Sequence, residues 1–277
     1  MVATSPKEFE KQALLYKKAY DLEDDYMVKA QNHILLRNFY FKRGYLKEAI
    51  EVAEEYARNG SEISTYLRDR KTDSKSFVAW QKGLHNQKEY LSELSNMVSQ
   101  KPFNYSLRAQ YIEALIANEQ YDDALENLNE VYRNLKATQI QRPDFELLYL
   151  ELYSSTNNKI EFDKMLDKFN VKSSDPSKLD AMNSLKLVDI LIANDRMDLA
   201  KSYFQKIISD GSVIFEASKH IIEAKLFLLV NDEENAFICI EKAIHLYPYH
   251  KDVKNTLSKF KDNQPKVTKL KQLIKTI

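Results

Sequence analysis

One pattern recurs along the chain and constrains it more than anything else. Gly44-Tyr45-Leu46-Lys47-Glu48-Ala49 is followed by Ala53, Tyr56 and Ala57. Asn194-Asp195-Arg196-Met197-Asp198-Leu199-Ala200 is followed by Phe204, Ile207 and Ile208. Asn231-Asp232-Glu233-Glu234-Asn235-Ala236 is followed by Ile240, Ala243, Ile244 and Pro248. Each stretch is a short polar turn, then a small residue in the first turn of a helix, an apolar residue one turn on, and an apolar pair beyond it. This is the helical period. The small residue lets two helices approach closely, and the apolar residues fill the space to the next hairpin. Units of this kind bury their apolar faces only by stacking.

Turn residues agree. With 4 Gly and 6 Pro in 277 residues, the chain lacks the punctuation that a β-sandwich, a barrel or an α/β enzyme of this size uses. Gly44, Gly60, Gly83 and Gly211 fall at breaks in the apolar pattern, as do Pro102, Pro143, Pro176 and Pro248. From Leu107 the apolar series runs Tyr111, Ile112, Leu115, Ile116, breaks at Asn118-Glu119-Gln120, and resumes at Tyr121, Ala124, Leu125, Leu128, Val131 and Tyr132. That predicts an antiparallel helical hairpin with a tight turn. Longer loops are expected over 59–64, 137–143 and 172–177. None reads as a domain linker, so one continuous array is expected over 1–277.

The pattern resembles the tetratricopeptide repeat, which asks for apolar residues in a helix A, a turn, a small residue early in helix B, then an aromatic, an alanine and a closing proline. The hairpin with Phe227, Ala236, Ala243 and Pro248 matches best. Others supply Leu36, Tyr40, Gly44 and Ala49; Leu115, Tyr121, Ala124 and Leu128; and Leu187, Leu191, Ala200 and Phe204. Two are degenerate, with Tyr90 and Phe162 at the small position. That position recurs as Ala49, Tyr90, Ala124, Phe162, Ala200 and Ala236, in steps of 41, 34, 38, 38 and 36, against a family period of about 34. The resemblance implies an all-α fold: a right-handed α-solenoid of about six hairpins with N- and C-terminal capping helices. Residues 1–29 are expected as the N-terminal helix and cap, with Phe9, Ala13, Leu14 and Tyr16 as its apolar stripe. The repeats are expected over 30–250, and basic C-terminal capping helices over 251–277.

No site for chemistry is visible. No two glycines lie five apart, which excludes a P-loop, and there is no dinucleotide fingerprint or nucleophile elbow. The five histidines are His33, His85, His220, His245 and His250. No pair of them shows metal spacing, and the single cysteine, Cys239, sits in an apolar stretch and reads as a buried, inert thiol. Trp80 reads as a packing residue. No catalytic residue, cofactor or metal is expected. Without an apolar leader or a run near 18 apolar residues, no membrane insertion is expected, and a cytoplasmic location is.

In the resembled fold, helix A of each hairpin lines the concave face. One register runs Asn38, Ala79, Glu113, Glu151, Asp189 and Lys225, and one turn earlier stand Ile34, Lys75, Ala109, Leu147, Leu185 and Ile221. A groove lined by Asn38, Glu113, Glu151, Asp189, Lys225, Ile34, Leu147, Leu185 and Ile221 suits a protein segment carrying Lys or Arg and apolar anchors. The same carboxylates also suit a plain solvated face. The family's clamp for chaperone C-termini is not matched, because Ile34 stands where a lysine belongs and Ser106 and Gln110 replace the basic pair. The expected role is a non-catalytic scaffold or adaptor.

Net charge is zero, with 41 basic and 41 acidic residues. The balance hides an asymmetry: residues 250–277 carry +6 and residues 1–249 carry −6. That basic segment could lie on nucleic acid or anionic lipid, or the chain could be a regulatory sensor domain of a larger assembly. The end of a repeat array needs a cover, so a cap is the expected role of the segment and nucleic acid is not the expected partner.

Overall fold

The structure is a computed structural model. It describes residues 6–83, 87–172, 179–247, 250, 252–260, 267–268 and 270–271, and side chains from Lys11 onward within that set, apart from those of 82, 83, 170–172 and 254. Among the described residues there are fourteen α-helices and no strand. They are α1 (Pro6–Asp21), α2 (Tyr26–Phe41), α3 (Leu46–Asn59), α4 (Thr65–Gly83), α5 (Gln87–Gln100), α6 (Tyr105–Ala117), α7 (Tyr121–Thr138), α8 (Pro143–Ser155), α9 (Lys159–Lys172), α10 (Ala181–Ala193), α11 (Met197–Phe204), α12 (Val213–Leu229), α13 (Glu233–Leu246) and α14 (Val253–Ser258). Six successive pairs, from α2–α3 to α12–α13, cover the repeats.

Helix starts follow from the sequence. Asp25 accepts hydrogen bonds from the backbone N–H of Met27 and Val28, Asn104 from Leu107, Asp180 from Asn183 and Asp232 from Asn235. Each satisfies donors that the first turn leaves orphaned. Pro143 opens α8, where no backbone N–H is needed.

Five of the six hairpin turns share one geometry. Each places a single residue in the left-handed region: Gly44 (φ 81), Glu119 (60), Asn157 (53), Asp195 (59) and Asn231 (57). The N–H of the following residue donates to the carbonyl five residues back: Tyr45 to Tyr40, Gln120 to Leu115, Asn158 to Tyr153, Arg196 to Leu191 and Asp232 to Phe227. The left-handed residue donates to the carbonyl three back, as Glu119 does to Ile116. This is the Schellman motif, which satisfies carbonyls at the end of helix A and reverses the chain at once. The sixth turn, at 84–86, lies outside the described residues, as does the loop expected over 172–177 apart from its first residue.

Contacts divide the chain into two compact units, residues 1–93 with 211–214, and residues 94–210 with 215–277. In the first, α1 packs on α2, α2 on α3 and α4, and α3 on α4. Tyr20, Ala30, Tyr56 and Leu67 make one buried cluster, and Ala13 and Phe39 another. Phe41, Phe77 and Trp80 form an aromatic group with ring centroids 5.2–5.6 Å apart, so Trp80 is a packing residue. The N-terminal stripe differs from expectation. Ala13 and Tyr20 turn inward while Leu14 is 55% exposed, because the contact with α2 takes a narrower band of α1 than the run of apolar residues suggested. Phe9 lies outside the described side chains.

In the second unit, α8 packs on α6, α7, α9 and α10, and α10 on α11. First helices of successive hairpins thus stack on one another. Ala124, Ala200 and Ala236 are fully buried where helices approach, as Ala49 is in the first unit. Tyr90 and Phe162 are buried at the same repeat position. One core cluster joins Leu147, Phe162, Phe169, Leu185, Leu191 and Ala200. Another joins Ile221, Phe237, Ile240 and Ile244 to Val253, Leu257, Phe260, Val267 and Leu270 of the basic segment. The remainder of the helix expected after Pro265 lies outside the described residues. Helix α11 is shorter than the repeat pattern implies. It ends at Phe204, and Ile208 is 85% exposed. A β-branched pair followed by Ser209-Asp210-Gly211, with Gly211 at φ 74, is poor helix sequence, and the chain leaves the repeat there.

Candidate functional site

The stacked first helices of the second unit carry a row of charge. Glu113 stands on α6, Glu151 on α8, Asp189 on α10 and Lys225 on α12. The structure adds a residue absent from that register, Lys186. Its Nζ pairs with Glu113 Oε1 and, at 2.6 Å, with Glu151 Oε2. One ammonium therefore ties α6, α8 and α10 together. Further on, Lys225 Nζ pairs with Asp189 Oδ1 at 2.6 Å and lies 3.6 Å from Asp252 Oδ2, just before α14.

Burial sets the strength of this row. The Lys186 side chain retains 19% of its exposure. Desolvation pulls its pKa down, but the charges of Glu113 and Glu151 and their hydrogen bonds outweigh it and hold the pKa above the ordinary lysine range. Lys186 is thus cationic at any physiological pH. Four carboxylates share two ammonium groups, so the row stays acidic on balance.

Beside the row, between α6, α8 and α10, lies a cleft of about 200 Å³ lined in part by Ser106, Gln110, Glu113, Arg142, Leu147 and Lys186. Arg142 is held there by Asp144, with Nε and Nη2 donating at 2.9 and 2.6 Å. A larger cleft of about 410 Å³ runs past Leu135, Ile140 and Phe145 and shares Arg142 with the first.

The residues one turn before the row do not serve as expected. Leu147, Leu185 and Ile221 are buried, 1–3% exposed, and belong to the core clusters. At α8, α10 and α12 the position four residues before the charged one is turned into the core, whereas Ala109, four before Glu113, stays half-buried and lines the cleft. Of the three buried residues, only Leu147 also borders the cleft. Asn38 and Ile34 lie on α2 in the first unit and are half-buried. Asn38 Oδ1 accepts from Arg37 at 3.3 Å, while Arg37 pairs with Asp73 at 2.8 Å and covers the Phe77 ring.

Lys186 stands outside the four-residue register of Leu185 and Asp189. Three before Asp189 shares that face equally well, since a helix turns every 3.6 residues. His220, Glu223 and Cys239 form no spaced motif in the sequence, yet α12 and α13 bring them together, with their ligand atoms all within 4.8 Å of one another.

Comparison with known proteins bears on the fold. The chain is similar to a tetratricopeptide repeat protein from Parabacteroides merdae, with a TM-score of 0.56 and 14% sequence identity over 91% of this chain and 92% of that one. The fold is accordingly that of tetratricopeptide-type helical hairpins. No family model matches the chain, and no curated protein matches it in sequence. Among the described residues, no helix is long and apolar enough to cross a membrane.

Proposed function

We propose that this protein is a non-catalytic scaffold that holds a segment of a partner protein against the charged row of α6, α8, α10 and α12. The observation that carries the reading is the Glu113–Lys186–Glu151 bridge beside an open cleft. It presents acceptors for incoming cations on helices that are already locked together. Preorganisation of this kind lowers the ordering cost of binding. The tetratricopeptide-type fold supports an interaction role in general terms.

The partner segment carries Lys or Arg. An incoming guanidinium adds to the row at Glu113, whose side chain is 49% exposed, rather than displacing Lys186. Apolar anchors on the partner have little to grip at Leu185 or Ile221, so the contact is mainly polar. Such a contact is salt-dependent.

The test is capture of partners by the wild-type chain and by the triple variant Glu113→Gln, Glu151→Gln, Asp189→Asn, followed by affinity measurement with the identified segment. The reading expects the variant to lose at least about tenfold in affinity, roughly 1.4 kcal/mol, and most of the salt dependence. Equal affinity with equal salt dependence overturns it.

A further inference from the structure

A second constellation lies on the last hairpin, where α12 and α13 face each other. His220 and Glu223 are three residues apart on one face of α12, and the His220 Nδ1 to Glu223 Oε2 distance is 2.7 Å. Cys239 comes from α13, with Sγ 3.9 Å from the same carboxylate oxygen. The imidazole and the carboxylate keep 22% and 26% of their exposure, while Cys239 is 8% exposed. The group is therefore walled by the core on the thiol side and open to solvent on the other.

We propose that His220, Glu223 and Cys239 form a binding site for a divalent transition-metal ion of the zinc type. Nitrogen, oxygen and sulfur donors in one cluster are the set that a borderline-soft cation takes. Metal–ligand bonds of about 2.0–2.3 Å at tetrahedral angles put neighbouring donor atoms about 3.4–3.7 Å apart. The three atoms here already lie within 4.8 Å of one another, so an ion needs the His220–Glu223 pair to open from 2.7 Å and the wider separations to close slightly. Three protein ligands leave a fourth position to solvent or to a ligand from outside.

In the metal-free arrangement Glu223 is the shared acceptor. The Cys239 thiol lies 3.9 Å from it, within donating reach. Burial first, and then the Glu223 charge, push that thiol up to about 11, with Lys242 opposing them. A divalent ion supplies the positive charge that a buried thiolate needs. On binding, the thiol proton leaves to solvent and a sulfur–metal bond forms. His220, whose Nδ1 proton faces Glu223 in the absence of metal, releases that proton to solvent, takes one up on Nε2 and ligates through Nδ1. Because two donors come from α12 and one from α13, the ion would clasp the hairpin that the C-terminal segment packs against.

Cobalt(II) tests this directly, because the chain has one cysteine and any thiolate-to-cobalt charge-transfer absorption reports Cys239. Titration of the full chain with Co²⁺ is expected to give that absorption, saturating at one equivalent and abolished by Zn²⁺. It should disappear in Cys239→Ser and require at least about tenfold more metal in His220→Ala and in Glu223→Gln. Absence of thiolate absorption in the wild type overturns the site, as does an unchanged cobalt affinity in both the His220 and Glu223 variants. Should Cys239→Ser fail to fold, the wild-type spectrum and the two α12 variants decide the question by themselves.

Discussion

Single residues explain how so few glycines serve so many turns. The Schellman turns use Glu119, Asn157, Asp195 and Asn231 in the left-handed region, and glycine only at Gly44. A non-glycine residue there costs about 1 kcal/mol or more. Glu119→Gly is therefore expected to raise unfolding free energy by about 0.5–1 kcal/mol in denaturant titration, and Gly44→Ala to lower it by a similar amount. A second residue-scale prediction concerns His33. It is fully buried, stacked on Tyr56 at 4.2 Å and hydrogen-bonded to Ser74 at 3.2 Å. Burial, with help from Arg37, lowers its pKa to about 3. Below the unfolded value of about 6.5, the unfolded chain takes up a proton that the folded chain refuses. Stability contributed by this residue is complete above that pH and falls by about 1.4 kcal/mol per unit down to the folded value. Denaturation at pH 7 and pH 5 should differ by about 2 kcal/mol more in the wild type than in His33→Gln. An identical difference in both would remove His33 from the account.

Elements carry the repeat. Ala124 on α7 and Ala200 on α11 are fully buried, where any larger side chain forces helices apart. Ala124→Glu or Ala200→Glu is expected to cost at least about 3 kcal/mol, read as a lowered denaturation midpoint. Unchanged midpoints in both variants would contradict the assigned register. Between elements, Lys186 is the fastener. Lys186→Met leaves Glu113 and Glu151 facing each other without a cation, and a loss of about 1–2 kcal/mol is expected. Adding Glu113→Gln and Glu151→Gln should recover most of that loss, which a residue acting through its methylenes alone would not do.

Hairpins were legible in the sequence because they rest on local rules: the spacing at Tyr111, Ile112 and Leu115, and the polar break at Asn118-Glu119-Gln120. The charged row was half legible. Glu113, Glu151 and Asp189 share a register that repeats with the hairpin. Lys186 became visible only when α6, α8 and α10 were stacked, because its partners lie 73 and 35 residues away in sequence. Leu185 and Ile221 were assigned to a groove because sequence spacing places a residue on a helix face without saying whether another helix covers it. The early end of α11 was hidden by Ile207 and Ile208, which keep the apolar rhythm after the helix has stopped.

At the scale of the whole molecule, two facts frame the function. A chain of zero net charge separates +6 in residues 250–277 from −6 before them. The basic segment nevertheless buries Val253, Leu257, Phe260, Val267 and Leu270 against the last hairpin, so its apolar side is engaged in packing. The carboxylates of the row are held by Lys186 and Lys225, and Glu113 is the most exposed of them. The central claim is that a partner segment lies along that row. Site-specific photo-crosslinking tests it most directly, with the reactive side chain placed either at Gln110, on the cleft wall of α6, or at Glu126, exposed on α7. The account predicts a crosslink to the captured partner from position 110, suppressed by high salt, and none from position 126. Crosslinking from 126 with none from 110 would contradict it.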